Sequence, residues 1–322
     1  MKMMTKKLLS CAMATVMLAL AACTAHDEQP AAAATGSKAT FTATIWGQPQ
    51  TRAYNQVWES GDAIGITATT GATAYTNVKY TTAQADGSFA AATAGSDIYY
   101  QDNGEVTFTA YYPWNDLSTA ATIPADVRIQ SQQKSFDFLW AQATGSKAAP
   151  HVAFTFAHRM SKVVMTLKKG ADISFDELQA ASLWLDGCLH VGEFDVATGQ
   201  VTATPGTGGL WQFAGNTDNP TCNAPVSADA SAQTLSYTLI VLPQVFTAGL
   251  PFTAALAGRQ SFGTQLDFSA ANANAGDASA ANAWVAGRQY NISVTLHKTA
   301  ITVDGCTINP WEGADGGNFD AR

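Results

Sequence analysis

The sequence predicts an all-β protein, two antiparallel β-sandwich domains in tandem. Short stretches alternate apolar and polar residues with period two, turn-forming pairs punctuate them, and helical periodicity is nearly absent. Many short strands separated by turn signals mark β-sandwiches, and 322 residues accommodate two.

Each element follows from its pattern. "ATFTATIWG" sets Phe41, Ala43 and Ile45 against Thr42 and Thr44. "DAIGITATT" places Ile64 and Ile66 on one face, and "EVTFTAYYPW" sets Val106, Phe108 and Ala110 against Thr107 and Thr109. "HVAFTFAHRMSKVVMTLKKG" reads as two adjoining strands, and "QTLSYTLIVLPQ" as an apolar strand closed by Pro243. "FTAALAG", "TQLDFS", "QYNISVTL" and "TAITVDGCTI" complete the set, with Tyr290, Ile292, Val294 and Leu296 on one buried face. "DGSF", "DNGE", "ATGQ" and "VDGC" supply turns, and Asp304-Gly305 is a hairpin signal.

Three stretches are less regular. "SFDELQAASLWL" reads as helix or, around Trp184, equally as strand. "SAANANAGDASAANA" reads as a low-complexity exposed loop. "QATGSKAAPH" and "KKGADISFDE" are the linker candidates, which gives domains over 39–157 and 158–322. Trp58 with Gly61 and Asp62 marks a turn entering a core strand, while Trp114 and Trp311 are expected to cap cores. Core packing is favoured for these tryptophans over sugar stacking.

The N-terminus reads as a leader. Lys2, Lys6 and Lys7 precede the apolar run "LLSCAMATVMLALAA", too short for a lasting membrane span. "LAAC" resembles a bacterial lipobox, which implies a signal peptide over 1–22 and lipidation of Cys23; the alternative is an ordinary secretory signal. Asp27 and Glu28 resemble the surface-export signals of Bacteroides-type lipoproteins, and residues 23–38 read as a tether.

Acidic residues outnumber basic ones, 25 to 17, and three of the basic ones lie in the leader. No nucleic-acid partner is expected, since one requires a basic footprint. Beyond Cys11 and Cys23, the cysteines Cys188, Cys222 and Cys306 leave room for one disulfide and make no disulfide framework. His26, His151, His158, His190 and His297 lack metal-ligand spacing. His151 and His158 are expected on opposite faces of a strand pair, with His158 at the domain junction. Ser131 to Lys134 spells the SxxK of serine acyl-transfer enzymes without its companion motifs. Asp315 and Asp320 in the glycine-rich tail are weighed as calcium ligands and read as solvated. The expectation is a non-enzyme without metal or cofactor.

Five segments in order carry a resemblance: "TRAYNQVWESGDAIGI", "FTAYYPW", "FTFAHRMSKVVMTL", "YTLIVLPQ" and "GRQYNISVTLHKTAITVDGCTINPW". The ordered set, with the lipobox, resembles the Bacteroides-type fimbrillin-like family, lipoprotein precursors of adhesive surface fimbriae. The resemblance implies transthyretin-like sandwiches and head-to-tail assembly by strand exchange with other fimbrial subunits. It further implies an outer-membrane lipid anchor and a trypsin-like processing protease that cuts after an arginine near the N-terminus. Arg52 is the candidate, and a cut at Arg52–Ala53 removes one strand-length segment. The null is a solvated loop arginine. "ITVDGCTINPW" is the candidate donor strand. The alternative is a non-polymerising, lipid-anchored surface protein that binds host glycan or protein.

Overall fold

The computed structural model describes residues 36–46, 57–117, 121–215, 222, 224–258, 261–276 and 282–311. Cys23, Arg52, Ala53, Asp315 and Asp320 lie outside the described residues. The protein is all-β, with short helical turns between strands.

The first half runs through β1 (Ser37–Lys38), β2 (Thr40–Ile45), β3 (Ala63–Thr70), β4 (Thr73–Thr81), β5 (Ser88–Ala91), β6 (Tyr99–Tyr100), β7 (Val106–Tyr112), β8 (Thr122–Asp126), β9 (Leu139–Gly145) and β10 (His151–His158). The second half runs through β11 (Ser161–Lys169), α1 (Phe175–Gln179), β12 (Ser182–Leu189), β13 (Val191–Asp195), β14 (Val201–Ala203), β15 (Gly208–Ala214), β16 (Val226–Asp229) and β17 (Thr234–Val241). It ends with β18 (Gln244–Val245), β19 (Leu250–Ala255), β20 (Ser261–Leu266), α2 (Ser269–Asn274), β21 (Ala283–Trp284), β22 (Arg288–Leu296) and β23 (Ile301–Pro310).

In the first half, strands in the order β10-β2-β5-β4-β3-β7-β9 close a barrel. Alternation sends Phe41, Ile64, Ile66, Phe108, Phe154 and Phe156 into its core. In the second half, the sheets β16-β17-β11-β22-β23 and β15-β12-β19-β20 share one core, built on residues such as Val163, Leu185, Leu239, Phe252, Ile292 and Val294. A third sheet, β14-β13-β8, joins a strand of the first half to two of the second. Its cluster holds Tyr111, Phe138, Phe194, Ile240 and Trp311, with Phe138 stacked on Phe194 at 4.5 Å. The expected boundary at 157/158 thus falls near the β10–β11 turn, while β8 pairs across it.

Several expectations are corrected. The antiparallel expectation fails at two seams, where β2 runs parallel to β10 and β11 runs parallel to β22. Alternation reports which face is buried and carries no information on strand direction. Ser37 and Lys38, expected in the tether, pair with Tyr100 and Tyr99, and Lys38 meets the Asp97 carboxylate at 2.7 Å.

Asp304-Gly305 is not the hairpin turn. The chain reverses earlier, where the His297 N–H donates to the Ala300 carbonyl, and β23 runs on with a register shift near Asp304. The Asp304 carboxylate accepts from the Ser293 and Thr295 hydroxyls and pairs with Lys168, which holds it against the sheet.

The alanine- and asparagine-rich loop is in part α2, with Asn272 buried. Its amide donates to the Ala283 carbonyl and its oxygen accepts from the Tyr290 hydroxyl, so the burial is satisfied. "SFDELQAASLWL" is both readings in succession. Ser174 and Glu177 form a reciprocal capping box for one short helix, and β12 follows. Trp114 caps no core; it is half-buried, with the Lys79 ammonium 4.1 Å from its ring.

Two outcomes follow. Phe194→Ala should cost about 3–5 kcal/mol by removing the stacked centre of the third cluster, read as a lower denaturant midpoint. Cys188, Cys222 and Cys306 are free thiols; burial pushes Cys188 and Cys306 up to about 12, and Cys222 is also raised. The folded, reduced protein should therefore resist alkylation of all three at pH 8 and label fully once unfolded, read by intact mass.

Candidate functional site: the first strand and its groove

β2 is a strand because threonines and an isoleucine fill it, and because every second residue is apolar. Phe41, Ala43 and Ile45 are buried; Thr40 and Thr44 face outward. One edge pairs with β10 along the whole strand, from Thr40 opposite His151 to Ile45 opposite Phe156. The other edge pairs with β5 only at Phe41–Phe89 and Thr42–Ser88. Its ends are held by the Ala39 N–H on the Ile98 carbonyl at 2.9 Å and the Trp46 N–H on the Phe156 carbonyl at 2.6 Å.

Inside the barrel the Phe41 ring meets Tyr80 at 4.9 Å, Phe108 at 5.3 Å and Phe154 at 5.9 Å. Trp58 packs edge-on against Phe89, Tyr112 and Phe156 beside it. On the outside, Thr40 and Thr42 hydroxyls lie 3.3 and 3.1 Å from the His151 ring nitrogens. His151 and His158 do face opposite ways, but on one strand, β10.

The last strand is built differently. Among the described residues, β23 pairs with β22 alone and lies at the edge of its sheet, with most of its residues exposed or half-buried. It is pinned at its end. Trp311 is buried, stacks on the His158 ring at 3.9 Å, and donates its backbone N–H to the Gly287 carbonyl at 2.8 Å. The His158 Nδ1 lies 2.8 Å from the Asp137 carboxylate. Lys162 approaches the Trp311 ring, and burial lowers its pKa.

The SxxK pair has no catalytic geometry of its own. Ser131 is exposed, and Lys134 sits between the carboxylates of Glu59 and Asp62. Burial works to lower the lysine pKa, and hydrogen bonds to Glu59 and Asp62 outweigh it and raise it. The site holds an ammonium, where a general base needs a free amine. The Tyr112 hydroxyl also donates to Asp62, so this cluster fastens the chain after Val57 to the 3-10 turn at Gln130–Ser135. Among the described residues no three His, Cys, Asp or Glu side chains form a metal-holding group.

The structure thus brings the alternating strand of "ATFTATIWG" together with Trp58 and the "FTAYYPW" and "FTFAH" strands in one core. Sequence reading placed these segments separately. It missed that His158 and Trp311, far apart in the chain, stack face to face; nothing in the spacing signals that contact.

The sequence matches the family described as "Fimbrillin-like" over residues 51–311. A Bacteroides uniformis protein named "Putative fimbrium subunit Fim1C" is 31% identical over 323 residues, which is 98% of both chains. A crystal structure of a "putative cell adhesion protein" from Bacteroides uniformis aligns with a TM-score of 0.65 and 30% identity, covering 85% of this chain and 99% of that one. One from Bacteroides ovatus, at 22% identity, shares the fold with a TM-score of 0.64 over 87% of this chain and 99% of its own. With its β2-closed barrel and this match over most of its length, the chain belongs to the fimbrillin-like family.

Proposed function

We propose that this protein is a structural and adhesive subunit of a surface fimbrium, made as a lipoprotein and assembled by strand exchange. One observation carries the reading. β2 fills a core groove of the barrel, yet its only covalent link to the rest runs through residues 47–56, which include Arg52. Cleavage at Arg52–Ala53 leaves β2 held by hydrogen bonds and packing alone. Its loss opens β5 and β10 as edges around an apolar groove, and a strand from the next subunit fills both. The fimbrial name of a relative that matches 98% of the chain supports the fimbrial part of this reading.

In this reading Cys23 carries the lipid that anchors the precursor to the outer membrane, and a trypsin-like protease releases it. The two halves, divided at 157/158, act as two transthyretin-like domains, the first with its strands closed into a barrel. β23 is the donor, because it is an exposed edge strand paired on one side and its release frees from a buried cluster chiefly Trp311. Head-to-tail filling that does not close produces a filament.

Cut by limited trypsin, the purified precursor should give a product starting at Ala53 and a ladder of SDS-resistant bands in unboiled gels. Arg52→Ala should abolish both. A single band from protein shown by peptide mapping to start at Ala53 would reject strand exchange and favour a tethered, non-polymerising binder. Phe41→Ala makes a second test. It should destabilise the uncut precursor by about 3–5 kcal/mol and leave the melting of the processed polymer unchanged, since Phe41 departs with the strand.

A further inference from the structure

We infer that Trp58, with Gly87, sets the register of whichever strand occupies the β2 groove; the inference rests on the exchange reading above. Residues along β2 point their backbone groups alternately to its two neighbours. Thr40 and Trp46 donate toward β10 and its flank, and Phe41 pairs with Phe89 on the β5 side. The β5 ladder stops at Ser88, because the preceding chain turns at Asp86–Gly87, where the Asp86 carboxylate accepts from the Ser88 N–H. Ala43, the next residue facing that side, has run out of strand. Its N–H donates to the Gly87 carbonyl at 2.8 Å, and its carbonyl accepts from the Trp58 indole N–H at 2.7 Å. The indole supplies the donor that a continuing β5 would have supplied.

Both grips are fixed. Trp58 is buried and wedged among Phe89, Tyr112 and Phe156. Gly87 has φ +80°, and a Cβ there would collide with the Ala43 carbonyl. A backbone therefore passes Gly87 at one height, with one carbonyl under the indole. Slipping the strand by one residue turns Phe41 out of its pocket and points that carbonyl away from Trp58.

Trp58 and Gly87 lie beyond Arg52 and stay with the processed subunit. When β2 leaves, the indole N–H loses its acceptor and meets water; an incoming strand that covers it without a carbonyl leaves it buried and unpaired, which is unfavourable. Only a strand that presents a carbonyl at this height restores it. The occupant is a strand of a second copy, with a small side chain where Ala43 sits; in β23, Gly305 and Cys306 stand between Val303 and Ile308. Trp58 is a positioning residue, acting on the backbone of its guest.

The test compares full-length wild type, Trp58→Phe and Tyr112→Phe after limited trypsin, by time course of the unboiled SDS ladder. Tyr112→Phe disturbs the same aromatic cluster and its bond to Asp62, but neither grip on Ala43. Trp58→Phe should slow ladder growth about tenfold, the equivalent of one lost hydrogen bond, while Tyr112→Phe tracks wild type. Because Trp58→Phe also changes ring size, Trp58→benzothienylalanine, which keeps the bicyclic shape and lacks the N–H, should show the same loss. If Trp58→Phe tracks wild type, if Tyr112→Phe falls with it, or if benzothienylalanine restores the rate, the register role is overturned and strand exchange stands. If cleaved wild type forms no ladder, strand exchange fails and the register role goes with it.

Discussion

Closure of the barrel depends on one short strand packed between β5 and β10. The chain from Val57 to His158 supplies every other barrel strand, and β2 completes the ring from outside that stretch. Burying Phe41 contributes about 1.5–3 kcal/mol, and each ladder hydrogen bond about 1 kcal/mol more. Without β2, the aromatic wall of Tyr80, Phe108 and Phe154 faces water, and β5 and β10 each present unpaired backbone groups. The threonines on the outer face add pleat-friendly bulk and little apolar area, so the strand's hold is concentrated in Phe41, its smaller neighbours and the ladder.

The third cluster gives that closure a longer reach. Tyr111 turns away from the barrel core and packs with Phe138, Phe194, Ile240 and Trp311. Trp311 ends the candidate donor strand, and it stacks on His158, the last residue of the strand that pairs with β2. β10 thus carries both the ladder that seats β2, from His151 to Phe156, and, at His158, the stacking partner of Trp311.

Local pattern made much of this legible. The threonine–apolar alternation of "TFTATI", "VTFTA" and "HVAFTF" located three barrel strands and their buried faces, while "SFDELQAASLWL" left helix and strand open and holds both. Pairing was not legible, because a strand's face is a property of its own residues and its neighbour is not. Hence the parallel seams, the barrel closure and β8 crossing to β13 appear only in three dimensions. Asp304-Gly305 misled because turn propensity is local, while Lys168, Ser293 and Thr295 hold that aspartate from neighbouring strands. Trp58 was readable as core, and its bond to Ala43 was not, since that contact depends on where β5 stops.

Replacing one strand by another of similar pattern changes rather little in free energy, so in the proposed exchange direction comes from the covalent link at residues 47–56. While residues 47–56 are intact, they hold β2 at an effective concentration in the millimolar range typical of short linkers. A strand from another molecule at micromolar concentration then competes at about a thousandfold disadvantage. The proposed cleavage at Arg52–Ala53 removes that advantage without altering one contact in the groove. In that proposal β2 stays on the lipid-bearing fragment while the processed subunit departs, and the separation makes its return slow. The incoming strand arrives attached to a folded subunit that gains further contacts on docking. In the proposed exchange the irreversible step is hydrolysis of one peptide bond, and the groove with Gly87 and Trp58 selects the strand that takes the vacated place.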